Sequence, residues 1–199
     1  MRRYDELMAD YETRTHRFTR AEYARLIDLG LFQPGEDIEL IGGALMVAEP
    51  QGAPHYTAIR KTAKALEAAF GTGWEVRTEG PIGLDDESEP EPDVAVVPGA
   101  PEDYARAHPS RPVLTVEVAE SSLALDRQHK GSLYARAGLP DYWVLNLIDR
   151  VLEVYRRPVA DPEAPFGWRY AERVALDASA RAIPLAAPQS SVSVSQLLP

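Results

Sequence analysis

Cysteine is absent from the chain, so neither a disulfide framework nor a thiolate metal site is available to it. No apolar run approaches the roughly 20 residues that a membrane-spanning helix needs. The first residues are two arginines after Met1 and then acidic side chains, without the apolar segment of a secretory signal. These absences favour a cytoplasmic protein with no membrane segment and no disulfides.

Basic residues are scarce relative to acidic ones: 21 Lys and Arg face 31 Asp and Glu, for a net charge of −10. Proteins that bind nucleic acid through backbone electrostatics usually carry a basic stripe. The acid excess is concentrated in residues 85–93, which hold six carboxylates and no base. This charge argues mildly against a nucleic-acid ligand, unless a metal cation sits among the carboxylates and reverses the local field.

The composition, with 45% hydrophobic and 26% charged residues, is typical of a globular protein. We expect an N-terminal arm over residues 1–16 and a single domain over residues 17–199. Hydrophobic periodicity and turn residues predict the secondary structure. They predict helices at 19–29, 55–70 and 126–137, hairpins at 37–47 and 142–155, and strands at 74–78, 93–97, 113–118 and 168–174. This order predicts an α/β fold with one mixed sheet and helices packed on it.

Two of the predicted strands each carry one carboxylate on a face of small residues. Period-two alternation places Asp93 with Ala95 on one face, and Glu117 with Ala119 on one face of the other strand. If the strands are neighbours, facing positions lie roughly 5 Å apart. Two converging buried carboxylates raise each other's pKa, and a hard divalent cation such as Mg²⁺ removes that conflict. The alternative from spacing alone is that each acid is solvated at a strand end.

Three motifs occur in a fixed order: EPDVAVV at residues 91–97, LTVEVAESS at 114–122, and a segment that runs from Asp126 through Lys130 to YARAGLPDYWV at 134–144. RFT at 17–19 and ELIGG at 39–43 precede them. In this combination the chain resembles the Uma-two family of the PD-(D/E)XK restriction-endonuclease-like superfamily. The resemblance covers roughly residues 17–190.

The resemblance implies a restriction-endonuclease-like central mixed sheet flanked by helices. It also implies that Asp93, Glu117 and the carbonyl of Val118 hold a metal, Mg²⁺ or, as the alternative, Mn²⁺. The lysine that the superfamily usually carries two residues after the second acid is replaced here by Ala119. The resemblance suggests Lys130 as its substitute.

The residues themselves are compatible with this role for Lys130. Lys130, Leu133 and Tyr134 fall on one helical stripe that faces inward, and an inward lysine needs an anionic partner. In the competing interpretation Lys130 pairs with Asp126 on the solvent side, as an ordinary i,i+4 ion pair.

Three further features are accessory candidates. His55, at the start of a predicted helix, is a candidate for phosphate contact or proton transfer, or else a local hydrogen bonder. Glu39, on the first hairpin, is either an additional acid near the metal or an edge-strand charge. Arg60, Lys61 and Lys64 form the densest basic group, which is a nucleic-acid-binding track or a solvated helix face.

The function that these features favour is a Mg²⁺-dependent endonuclease that cuts DNA and acts as a homodimer, because double-strand cleavage needs two active sites. The predicted hairpin at 142–155 and the C-terminal tail are candidate dimer surfaces. The alternative is a non-catalytic module for nucleic-acid or protein interaction that retains the nuclease-like fold, which Ala119 and the acidic balance favour. A carboxylate-pair glycosidase finds little support, since aromatics make up only 8% of the chain.

Overall fold

A computed structural model describes residues 15–33, 35–47 and 51–199. Most of the predicted N-terminal arm, residues 1–14, lies outside the described residues. The helices are α1 (Arg20–Asp28), α2 (Ala53–Phe70), α3 (Leu123–Leu125), α4 (Gly131–Arg136) and α5 (Val194–Leu197), with a 3-10 turn at Pro101–Tyr104 and a π-helical segment at Asp126–Lys130. The strands are β1 (Ile38–Ile41), β2 (Ala44–Val47), β3 (Trp74–Thr78), β4 (Val94–Pro98), β5 (Leu114–Ala119), β6 (Asp141–Asn146), β7 (Val151–Ala160), β8 (Trp168–Leu176), β9 (Arg181–Ala182) and β10 (Val192–Ser193).

In the described part of the chain, six strands form the central sheet in the order β3-β4-β5-β6-β7-β8. Strands β5 and β6 are parallel, and the other neighbouring pairs are antiparallel. A parallel pair needs a crossover connection, and the helical segment between β5 and β6 supplies it. The predicted mixed sheet with flanking helices is therefore confirmed.

The first helix and hairpin form where the sequence predicts them. Thr19 caps α1, and its hydroxyl and backbone exchange hydrogen bonds with Glu22 in a capping box. Strands β1 and β2 join through Gly42 and Gly43, which have φ of 56° and 80°. This left-handed turn favours glycine at both positions and matches the strand twist. The hairpin stands beside the central sheet and carries Glu39 inward, 8% exposed.

The two faces of the sheet are different in character. Helix α2 packs its Ile59 and Leu66 against the face that Val94, Val116 and Trp143 form. The opposite face carries Ala95, Ala119 and a group of tyrosines, and α4 packs on it. Alternation along β5 therefore sends its valines to the α2 side and Glu117 to the α4 side, as period two predicts.

The helix predicted over 126–137 forms, but its first residues adopt a wider, π-helical turn. A π-helical turn, Asp126–Lys130, separates α3 from α4. The carbonyl of Asp126 accepts hydrogen bonds from the Gly131 amide and, at 2.9 Å, from the Tyr142 hydroxyl. The hydroxyl comes from β6, so a partner distant in sequence stabilises the wider turn, and local periodicity does not reveal it.

Two smaller expectations also need correction. Strand β7 continues through Pro158 to Ala160, because β8 pairs with it along that length. The hairpin proposed as a dimer surface is buried in the chain's own core, where Tyr142 is 0% and Tyr155 8% exposed. Of the helices described, none is long and apolar enough to cross a membrane.

Candidate active site

The acid pair lies where β4 and β5 meet. Val94 pairs with Val116, so Asp93, which immediately precedes β4, lies opposite Glu117. The backbone amide of Asp93 is 3.5 Å from Glu117 Oε2, and the amide of Val118 donates to Asp93 Oδ2 at 2.6 Å. Both carboxylates are buried. The structure brings the two acids together and rules out the alternative in which each is solvated at a strand end.

Lys130 enters this site from the π-helical segment. Its Nζ is 3.2 Å from Glu39 Oε1 and 3.3 Å from Glu117 Oε1, and the residue is 6% exposed. An ion pair with Asp126 on the solvent side is therefore wrong. Because Glu39 contacts Lys130 and is buried, its interpretation as an edge-strand charge is wrong as well. The second carboxylate oxygen of Glu39 accepts a hydrogen bond from the Glu91 amide at 3.2 Å.

His55 lies at the rim of the same site. Helix α2 begins at Ala53, and the His55 ring reaches back from its first turn to the end of β5. The Nε2 atom is 2.5 Å from the carbonyl oxygen of Val118 and 3.5 Å from Asp93 Oδ2. The predicted third metal ligand and the histidine thus lie in direct contact.

Sequence reasoning missed two residues of the site. The Tyr134 hydroxyl donates to Glu117 Oε1 at 2.7 Å. The Asp126 carboxylate is buried and accepts a hydrogen bond from Ser122 Oγ at 2.6 Å. Their signal was present, since Tyr134 shares the inward stripe of Lys130 and Asp126 precedes Lys130 by four residues.

Burial controls the protonation of these acids. It raises the pKa of Asp93 to about 6, although His55, the Val118 amide and Lys130 each lower it. Burial raises the pKa of Glu117 well above its ordinary value, against the opposing effect of Lys130 and with a further rise from Asp93. For Lys130, burial lowers the pKa, but the surrounding carboxylates more than compensate and raise it above its ordinary value. The lysine therefore stays charged.

The acids and Lys130 line a cleft of about 540 Å³. Among the described residues, two basic side chains line it, the ammonium group of Lys130 and the imidazole of His55. Eight carboxylates also line it: Asp37, Glu39, Glu79, Glu91, Asp93, Glu117, Glu120 and Asp126. One ammonium group and one imidazole cannot balance eight carboxylates. The cleft is therefore a place where a cation is electrostatically favoured.

The residues present fit Mg²⁺. Tyr134 and Lys130 contact Glu117 Oε1, and the Val118 amide contacts Asp93 Oδ2. Asp93 Oδ1 is thereby left for a cation, and Glu117 Oε2 accepts only a long hydrogen bond, at 3.5 Å, from the Asp93 amide. Mg²⁺ commonly takes one or two carboxylates and fills its octahedron with water and phosphate oxygens. No group of three or more His, Cys, Asp or Glu among residues 15–33, 35–47 and 51–199 is arranged to hold a metal. Two carboxylates and a carbonyl do not require such a group.

The predicted basic track lies elsewhere. Arg60 and Lys64 are exposed on α2, and the Lys61 ammonium donates to the carbonyl of Leu198. None of these three side chains lines the cleft. The structure therefore separates the basic group from the acid pair.

The chain has a restriction-endonuclease-like fold. Its mixed sheet carries an acid pair where two strands meet, and the next helical segment contributes a lysine to the same site. The model of the Uma2 family, described as "Putative restriction endonuclease", matches residues 20–194. The chain belongs to this family.

Comparison with solved structures gives the same fold. A crystal structure described as "a putative nuclease belonging to DUF820", from Anabaena variabilis ATCC 29413, superposes with a TM-score of 0.65. The alignment covers 90% of this chain and 97% of that chain at 18% sequence identity. At this identity the likeness concerns the fold alone. No curated protein matches the chain.

Proposed function

We propose that the chain is a Mg²⁺-dependent endonuclease that hydrolyses phosphodiester bonds of DNA. The observation that carries the proposal is the buried pair Asp93 and Glu117 with Lys130 in contact with Glu117. Family membership and the description of the Anabaena protein favour the same chemistry. Mn²⁺ is expected to replace Mg²⁺, since both prefer oxygen ligands.

In this proposal Asp93, Glu117 and the Val118 carbonyl hold the metal. The chemistry that Mg²⁺ supplies at such a site is polarisation of a phosphate oxygen and a lower pKa for a coordinated water. Tyr134 fixes the rotamer of Glu117 through its hydrogen bond, and the Val118 amide fixes Asp93 in the same way. Both carboxylates are thereby oriented before a ligand arrives, which limits the reorganisation that binding requires.

Lys130 takes the place of the lysine missing at Ala119. It reaches the Glu117 carboxylate from the helical segment, 3.3 Å away, instead of from the strand. An ammonium group there offsets negative charge that develops on the phosphate in the transition state. Its ion pair with Glu39 holds it in the cleft. His55, which contacts the Val118 carbonyl, is an accessory group of this site.

We also propose that the active form is a homodimer, because two sites related by a two-fold axis serve both strands of a duplex. Light scattering at working concentration tests this. A species of twice the 22.0 kDa chain mass is expected, and a monomer contradicts the proposal.

The second candidate is a non-catalytic interaction module that keeps this fold. Ala119 in place of the usual lysine, together with the net charge of −10, favours it. In that case the ion pairs between the acids and Lys130 stabilise the fold, and the site catalyses no reaction.

Cleavage of supercoiled plasmid separates the two candidates. The wild-type chain is incubated with Mg²⁺, with Mn²⁺ and with EDTA, beside Asp93→Asn and, as a matched control, Glu120→Gln on the exposed rim of the same cleft. Nicking or linearisation by the wild type and by the control, abolished by EDTA and by Asp93→Asn, is expected. Wild-type protein that neither cuts nor binds either metal supports the interaction module.

A further inference from the structure

A second concavity of about 680 Å³ lies between the C-terminal half of α2 and the segment from Arg181 to Gln196. We call it the basic groove and define it by Lys61, Lys64, Arg181, Ser190, Ser191 and Gln196. Three of these six side chains are cationic and the other three are uncharged hydrogen-bonding groups. The remaining lining is small and apolar, from Ala65, Ala68, Ala69 and Val192.

The basic groove is positively charged, whereas the chain as a whole is negatively charged. Only three lysines occur in the sequence, at 61, 64 and 130, and two of them line this groove. No carboxylate lines it within the described residues. Lys64 and Arg181 form no ion pair with any residue that the structure describes. In a chain with a net charge of −10, this leaves a local site for an anion.

Hydrogen bonds hold two of the three cations in place. The Lys61 ammonium donates to the Leu198 carbonyl, which leaves it two further N–H groups. Arg181 donates from Nε to Ser191 Oγ and from Nη2 to the Ser191 carbonyl, both at 2.8 Å. Ser190 Oγ donates to the Ala69 carbonyl at 2.7 Å and so ties the second wall to α2. The walls and these donors are therefore fixed in advance.

The shape of the basic groove suits a phosphate backbone. The alanines of its lining are short side chains, which leaves room for phosphate oxygens to approach the lysine and arginine nitrogens. Arginine, lysine and serine are the side chains that commonly contact phosphate oxygens in nucleic-acid complexes. Lys64 follows His55, at the cleft, by nine residues of α2, which corresponds to about 13 Å along the helix axis. Nine residues are also about two and a half turns of helix, so Lys64 projects from the side of α2 opposite to His55, and the groove does not face the cleft.

We propose that the basic groove binds the phosphate backbone of a nucleic acid at a site separate from the cleft. The ligand is taken to be DNA, which rests on the proposed function, whereas the phosphate chemistry rests on the groove itself. Binding here is independent of sequence and depends on salt, because it proceeds through release of counterions from the backbone. The groove also binds without a divalent metal, unlike the cleft.

Fluorescence anisotropy of a labelled 20-base-pair duplex tests this without turnover, in Ca²⁺ or EDTA over a series of KCl concentrations. The test variant is Lys64→Glu/Arg181→Glu. The matched control is Arg25→Glu/Arg106→Glu, which makes the same charge change at two exposed arginines outside the groove. Melting curves establish that both variants fold, and Lys64→Gln/Arg181→Gln repeats the test without reversing charge.

The groove variant is expected to weaken Kd at least about tenfold and to lower the slope of log K against log salt by about 2, one for each lost phosphate contact. The control is expected to change the slope by less than half as much. The proposal for the groove is contradicted if duplex binding weakens equally in both variants. It is also contradicted if the wild type does not bind the duplex. Tight, groove-dependent binding of polyglutamate also overturns it, because the surface then takes acidic protein segments.

The outcome separates the groove from the nuclease proposal. Groove-dependent binding by a wild type that does not cut retains the groove and overturns the endonuclease. Cutting by the groove variant with an unchanged KM overturns the groove and retains the endonuclease.

Discussion

The acidic cleft and the basic groove have opposite charge, so they interact with a phosphate group in opposite ways. In the described part of the chain, eight carboxylates line the cleft and three cations line the groove. The central charges of the cleft are buried, while Lys64 and Arg181 of the groove are exposed. A phosphate can approach the groove directly, but it is repelled from the cleft unless a cation is held there.

This difference shows why net charge is a poor guide to function in this chain. The value of −10 is an average over two regions of opposite sign. The basic groove supplies attraction, and the acidic cleft supplies the ligands of a metal. Each region can be altered without touching the other, which makes the comparison testable.

The largest expected effect comes from removing an acid of the cleft. Glu117→Gln is predicted to lower the rate of DNA cleavage by at least about 100-fold, since loss of even a supporting group at a metal site typically has an effect of 10- to 100-fold. The metal-free variant is expected to melt at a higher temperature than wild type, because one of several repelling carboxylates is gone. Its stabilisation by Mg²⁺ should disappear.

Glu120→Gln serves as control for this change, since Glu120 lines the rim of the cleft and is exposed. It should cut and respond to Mg²⁺ as wild type does. A Glu117→Gln variant that keeps its full response to Mg²⁺ contradicts the assignment of Glu117 as a ligand.

The next effect concerns the single lysine of the cleft. Lys130→Met removes the ammonium group but keeps much of the side-chain volume, and it is predicted to destabilise the metal-free protein by about 3 kcal/mol, because buried carboxylates lose their partner. Cleavage should fall by about 100-fold or more while Mg²⁺ binding stays equal or becomes tighter. Thermal melting with and without Mg²⁺, alongside the cleavage assay, measures both parts.

The exposed lysine of the groove provides the comparison. Lys64→Met is expected to change the free energy of unfolding by less than about 0.5 kcal/mol. If Lys130→Met cuts as well as wild type, Lys130 does not replace the lysine missing at position 119.

The sequence predicts the acid pair and Lys130 because each follows a simple period. Alternation along two strands fixes Asp93 and Glu117 to one face, and the helical stripe turns Lys130 inward. The π-helical turn was not predicted, because the Tyr142 hydroxyl that stabilises it belongs to a later strand. The groove was only half predicted for the same reason. Lys61 and Lys64 stand out on α2, but Arg181 joins them only through the tertiary fold.

The smallest effect is a pH dependence of the metal-free protein. The fold raises the pKa of Asp93 from its ordinary 3.8 to about 6, so between these values the folded protein holds a proton that the unfolded chain has released. The free energy of unfolding is therefore expected to fall as pH rises from about 4 to about 6, by about 2 kcal/mol. Mg²⁺ should restore stability at the upper end of this window.

Asp93→Asn is expected to reduce this dependence, as chemical denaturation at stepped pH measures. Glu91, Glu117 and Asp126, whose pKa values the fold also raises, retain the rest of it. Glu153 supplies a contrast. Although burial raises its pKa, hydrogen bonds from Arg127, Tyr155 and Asn146 lower it to about 2. Its contribution to stability is complete well above the unfolded pKa of 4.5 and is lost progressively as pH falls from there toward 2. Glu153→Gln should therefore alter the dependence mainly below about pH 5, and with the opposite sign to Asp93→Asn.

A Mn²⁺ soak of crystals, followed by an anomalous difference map, tests the central claim most directly. The predicted result is a single strong peak between the Asp93 and Glu117 carboxylates, about 2.0 to 2.3 Å from one oxygen of each, with the Val118 carbonyl as a further ligand. The peak should be absent in crystals of Glu117→Gln. A wild-type map with no peak in the cleft, or with its peak on other residues, contradicts the account.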